Sequence, residues 1–137
     1  MRYAILESHK DGWLLIARIL MVILFVWGGW GKLAGFSGTV GVMAGVGLPI
    51  PMLAAVVAVI IELFVGIAIV LGVFTRPLAL LLAVYTLATA FIGHHYWTMT
   101  GSAQIANMIN FYKNVSITGG FLLLCIAGPG RYSIDRG

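Results

Sequence analysis

The chain turns on Ala54-Ala55-Val56-Val57-Ala58-Val59-Ile60-Ile61-Glu62-Leu63-Phe64-Val65-Gly66-Ile67. This stretch lies inside an apolar run from Leu53 to Phe74, long enough to cross a bilayer as a helix. One carboxylate, Glu62, sits almost at its centre. Stepping by four gives Ala54, Ala58, Glu62 and Gly66, so the acid shares a stripe with small residues. In a membrane, small residues mark the face where another helix packs closely. Glu62 is therefore expected to look into a bundle of helices.

The rest of the sequence supplies those helices. Of 137 residues, 61% are hydrophobic and only 9% charged, where a soluble domain would be about a quarter charged. Four long apolar runs use up most of the length. The prediction is an all-α, four-transmembrane-helix up-and-down bundle forming a single domain over residues 1–137. The helices are expected at about 13–33, 53–74, 77–97 and 111–127. Net charge is +4, but the basic residues are scattered at helix ends, which argues for membrane topology and lipid headgroups and against nucleic acid. The lipid bilayer is the expected partner. The single cysteine, Cys125, excludes a dithiol relay within the chain and reads as a small packing residue. Arg2 to Asp11 is polar, and the run after it is too long for a cleaved signal, so that run is expected to stay as the first span.

In chain order, Trp13 and Trp30 read as interfacial anchors of the first helix. Arg18, Met21, Phe25, Gly28 and Lys32 fall near one of its faces. Gly35 to Pro51 is too short and glycine-rich to span, yet Phe36, Val40, Met43 and Val46 recur at helical spacing. A short interfacial or re-entrant helix capped by Ser37 or Thr39 fits it. Thr75-Arg76-Pro77 reads as a tight turn that makes the second and third helices antiparallel neighbours. In the third helix, His94 continues the small stripe Thr86, Ala90 and is expected inside, with His95 nearer headgroups. Thr98 to Asn110 is polar and is expected to lie outside the bundle or to cover its end. Gly128-Pro129-Gly130 stops the last helix, and the tail Arg131 to Gly137 is expected to be short and soluble.

One side of this arrangement holds Arg2, Lys10, Arg18, Arg76, Arg131 and Arg136, the other only Lys32 and Lys113. That asymmetry predicts both termini in the cytoplasm. At ~1.5 Å per residue, Glu62 lies near the midplane and His94 roughly 10 Å outward. Lys32, Tyr112, Lys113 and Asn114 cluster at the same outer level, so the outer half is polar inside and the inner half apolar. A midplane carboxylate is costly unless paired or protonated. Arg18, Lys32 and His94 are all open as partners of Glu62; an ion pair with Arg18 or Lys32 would pin the bundle, with Arg18 the expected structural partner. Adjacent histidines on a regular helix diverge by about 100° and cannot share a metal. No HxxxH, HExxH, CxxC, GxSxG or phosphate-binding glycine loop occurs, so no metal or haem is expected.

Several segments together resemble the DoxX family of small prokaryotic membrane proteins. They are Gly31-Lys32-Leu33, Gly45-Val46-Gly47-Leu48-Pro49, Ile61-Glu62-Leu63 with Gly66, and Leu71-Gly72-Val73-Phe74-Thr75-Arg76-Pro77. Phe91-Ile92-Gly93-His94-His95-Tyr96-Trp97 and Phe111-Tyr112-Lys113-Asn114 with Gly119-Gly120 complete the pattern. The resemblance implies four spans in a bacterial cytoplasmic (inner) membrane. It also implies redox, thiol-stress or quinone-stress settings, the family being named by analogy with a subunit of a thiosulfate:quinone oxidoreductase. It transfers no catalytic set.

The functional expectation is a redox-associated inner-membrane protein with a quinone or similar apolar ligand in the outer half. Glu62 and His94, the candidate catalytic residues, would contact its polar head, and Lys32, Lys113 and Asn114 would set the charge of the mouth. Trp30, Tyr96, Trp97 and Tyr112 would supply stacking surface. Electron transfer would need the bound quinone or an oxidoreductase partner subunit. The rival expectation is a non-catalytic scaffold or small-molecule permeation protein, a homo-oligomer through its glycine stripes.

Overall fold

The computed structural model describes residues 4–136, with side chains from Leu6 onward. A short helix α1 (Ala4–Ser8) precedes α2 (Lys10–Ala34), and Gly35 separates α2 from α3 (Phe36–Gly45). Then come α4 (Pro51–Leu71), α5 (Thr75–Gly93) and α6 (Gly101–Ala127), with a single 3₁₀ turn at Tyr96–Thr98. The described residues contain no strand, and α2, α4, α5 and α6 are each long and apolar enough to cross a membrane. The predicted four-helix membrane architecture is the one found.

Local chemistry sets the boundaries. Pro51 opens α4 at a position where a missing N–H costs nothing. Gly72 closes it in the left-handed conformation, φ 72°. The chain then turns through Val73 and Phe74, and α5 begins at Thr75. The turn thus lies three residues earlier than Thr75-Arg76-Pro77, which are already helical.

Three further boundaries differ from expectation. Thr98 to Asn110 is not a loop over the bundle end, because α6 starts at Gly101. Its amides find partners within the helices: Asn107 donates to Ala103 O at 2.9 Å. Helix α5 ends at Gly93, four residues short of Trp97, with His94 just past its last turn. Neither Ser37 nor Thr39 caps α3. The Thr39 hydroxyl instead donates to Lys32 O at 3.0 Å and Gly35 O at 3.2 Å, stitching α3 to the end of α2.

The core joins Val22 and Phe25 of α2, Ile69 of α4, Ala79, Leu82 and Ala83 of α5, and Phe121 and Leu124 of α6. Phe25 and Phe121 meet edge to face, centroids 5.3 Å apart, a favoured aromatic geometry. Large aliphatic and aromatic side chains such as Leu20, Trp27 and Ile126 point outward, as suits a surface facing hydrocarbon.

Small residues bring α2 and α4 together. A methyl group on Gly29 would lie 2.5 Å from Leu63 N, and one on Gly66 2.9 Å from Val26 Cγ2. Helices α5 and α6 pair along much of their length. The segment after α6 folds back on the bundle instead of standing free: Arg131 N–H donates to Asp11 Oδ1 at 2.9 Å, Ile134 N–H to Leu71 O at 3.0 Å and Asp135 N–H to Gly72 O at 3.1 Å.

Candidate functional site

Residues Ile60–Val65 of α4 form a π segment, and Glu62 lies within it. A π turn bonds i to i+5 and accommodates one extra residue, a distortion found frequently at functional sites. Ala55, Ala58, Val59, Leu63, Gly66 and Ile69 are buried around Glu62, and its own side chain is 12% exposed. The acid faces the bundle, as its stripe of small neighbours indicates.

Its partners come from two other spanning helices. Lys32 Nζ, in the last turn of α2, donates to Glu62 Oε2 at 2.7 Å. The Tyr85 hydroxyl, midway along α5, donates to Glu62 Oε1 at 2.7 Å. Both carboxylate oxygens are thereby filled, and three spans converge on one acid. Gly28 lies against the pair: a methyl group there would touch it at ordinary contact distance, 3.4 Å from Glu62 Oε2 and 3.7 Å from Lys32 Nζ. Lys32 retains further donor capacity, and its side chain is 32% exposed. A cation and a phenol are thus joined through one anion, each donating to a different oxygen of Glu62.

The expected Arg18–Glu62 ion pair is not present. Arg18 is fully buried at the other end of α2, and its Nη2 donates to Tyr132 O. The physical reason is the returning tail, which offers Arg18 a carbonyl closer than any acid. His94 is not beside Glu62 either. It stands nine residues beyond Tyr85, about 13 Å further along at helical rise, and its Nδ1 pairs with Asn107 Oδ1 at 2.9 Å. His95 Nδ1 lies 2.9 Å from Ile92 O.

Around that same end, the remaining candidates form a separate group. Trp97 and Tyr112 join Phe91, Tyr96 and Phe111 in an aromatic cluster, with Tyr96 and Phe111 centroids 5.6 Å apart and Trp97 and Phe111 5.8 Å apart. Trp30 is outside it and 60% exposed. Lys113 is exposed and donates to Asn110 Oδ1 at 3.1 Å. Asn114 ties α6 to α5 through Thr86 O and Thr89 Oγ1, each at 3.4 Å.

Sequence reading had Lys32 and Glu62 as candidates but missed Tyr85. A signal was available: a tyrosine amid Leu, Val and Ala at mid-span needs a partner for its hydroxyl. Nothing in the apolar pattern announced the π segment.

Comparison with known proteins agrees with this architecture. The DoxX family model matches residues 13–95, a span that includes Lys32, Glu62, Tyr85 and His94. The inner membrane protein YphA of Escherichia coli K12 is 57% identical over 136 residues, covering 99% of this chain and 97% of that protein. The inner membrane protein YqjF of the same organism is 47% identical over 131 residues, covering 96% and 95% respectively. No solved structure matches. With the matched region running from α2 to the end of α5 and relatives aligned over nearly the whole length, the chain belongs to the DoxX family.

Proposed function

We propose that this is an inner-membrane protein that binds a quinone or a similar apolar small molecule bearing a hydrogen-bond acceptor, at the Lys32–Glu62–Tyr85 row. Both termini are on the cytoplasmic side in this reading. That assignment rests on the excess of Lys and Arg at the α2 start, the α4–α5 turn and the tail, and the compartment on the relatives' names.

The observation that carries the proposal is the state of Lys32. Its ammonium is held by Glu62 while the side chain as a whole is a third exposed, and an ammonium has donors to spare for a ligand carbonyl without leaving the carboxylate. Intramembrane ionisable groups of this kind mark function by default. The aromatic cluster of Tyr96, Trp97, Phe111 and Tyr112 at the same end of the bundle offers stacking surface. His94, engaged by Asn107, supports that end and does not contact the ligand head. Electrons would be exchanged through the ligand with an oxidoreductase partner subunit.

The test is equilibrium binding of a short-chain quinone to the protein in nanodiscs. Lys32→Met should weaken binding about tenfold or more, the worth of a hydrogen bond to a charged group. Tyr85→Phe should weaken it less. Affinity unchanged in Lys32→Met overturns the assignment.

A second reading rests on a different observation: both Glu62 oxygens already have protein partners on two other helices. Under it the row is a structural tie in a non-catalytic scaffold or permeation protein. The same substitutions would then lower thermal stability and leave ligand affinity, if any, untouched.

A further inference from the structure

At the opposite end of the bundle, Arg18 is fully buried in the span of α2. Its Nη2 donates to Tyr132 O, while Nε and Nη1 are buried with no hydrogen-bond partner among the described residues. The ion pair found among those residues is Lys32–Glu62, so no carboxylate neutralises Arg18. A buried cation is ordinarily paired, and one neutral carbonyl leaves most of the guanidinium fork unused.

The group over Arg18 is lightly held. Ile134 N–H and Asp135 N–H donate to Leu71 O and Gly72 O at 3.0 and 3.1 Å, and Phe74 N–H donates to Asp135 Oδ2. Ser133 Oγ donates to Gly130 O at 2.6 Å. Tyr132, Ile134, Asp135 and Arg136 are exposed. A segment with few buried contacts and a handful of exposed hydrogen bonds opens at low cost. The nearby acids are occupied: Asp11 by Arg131 N–H and Asp135 by Phe74 N–H. Arg131, Arg136 and Arg76 add positive charge at this end.

We propose that Arg18 is an anion site for a phosphate group, covered by the segment Tyr132–Asp135, whose Tyr132 carbonyl stands where a phosphate oxygen would bind. The planar guanidinium fork suits two phosphate oxygens at once. The phosphate belongs either to an anionic lipid headgroup or to a free phosphate ion.

The closing experiment follows thermal unfolding of the full chain by tryptophan fluorescence. Inorganic phosphate is titrated against chloride at constant ionic strength in detergent after delipidation. In parallel, nanodiscs of phosphatidylcholine are compared with discs containing phosphatidylglycerol. Wild type should show a saturable rise in Tm of about 3 °C or more in one arm or both. A rise with phosphate identifies a free-ion site, and a rise in phosphatidylglycerol discs alone identifies a headgroup site.

Arg18→Gln should abolish the rise. Ser133→Asp is the second variant, since Ser133 Cβ and Arg18 Nη1 crowd the same side of Gly72. Its carboxylate should pair with Arg18, raise the unliganded Tm and remove the response. If Arg18→Gln does not fold, Ser133→Asp decides. A wild type that responds in neither arm, or a Ser133→Asp protein that keeps the full response, overturns the proposal.

Discussion

The Tyr85 hydroxyl donates to Glu62 Oε1 at 2.7 Å, filling from α5 the oxygen that Lys32 leaves open. A hydrogen bond to a charged group contributes about 1.5–3 kcal/mol. Tyr85→Phe is expected to lose that amount, measured as a shift in the unfolding midpoint when detergent micelles are titrated with dodecyl sulfate. A shift below about 0.5 kcal/mol would mean that Glu62 replaces the phenol with water at no cost.

Breaking one side of the Lys32–Glu62 pair should cost more than removing both. A single Glu62→Leu leaves an ammonium without its anion inside the bundle, at a cost of about 3–5 kcal/mol for a buried pair, less here because Lys32 is a third exposed. The double variant Lys32→Met, Glu62→Leu should recover most of that loss. A double-mutant cycle on unfolding free energies gives the coupling directly. Additive losses would show that the two charges do not depend on each other.

Gly29 and Gly31 offer a matched pair on α2. A methyl group at Gly29 meets the Leu63 backbone, whereas one at Gly31 meets nothing within 4 Å. Gly29→Ala should destabilise by about 1–3 kcal/mol through overpacking. Gly31→Ala should be neutral or stabilising by up to about 1 kcal/mol, the helix-propensity difference. The same unfolding titration compares them, and equal effects would rule out the close α2–α4 approach.

Arg76 reaches from the start of α5 to the far end of α6, donating from Nη1 to Cys125 O at 3.1 Å and Ile126 O at 2.6 Å. These are carbonyls that the helix itself cannot satisfy. Arg76→Ala should cost about 1 kcal/mol and increase hydrogen exchange in the last turn of α6, with the centre of α6 unaffected.

The bundle was legible because hydropathy along a membrane chain reports directly on what the solvent permits. The inward aspect of Glu62 was legible for the same reason that Ala58 and Gly66 are small. The start of α6 was not, since Asn107 and Asn110 look like loop residues until their side chains are seen bonded to Ala103 O and His94, and to Lys113. Lys32 was one of three open partners for Glu62, and the close α2–α4 packing at Gly29 is what puts it within reach. The fate of Arg18 depended on a segment more than a hundred residues away, Tyr132 to Asp135, whose return path carries no local pattern.

Because the π turn at Ile60–Val65 takes in one residue beyond the α-helical count, everything after it in α4 lies about 100° back from where an unbroken α-helix would put it. The buried residues on either side, Ala55 and Ala58 before it and Gly66 and Ile69 after it, therefore spread over a wider arc than their spacing suggests. Deleting Ile61 would take the slack link out of the chain: both halves of α4 would keep the faces they now bury, and the change would fall on the turn that carries Glu62.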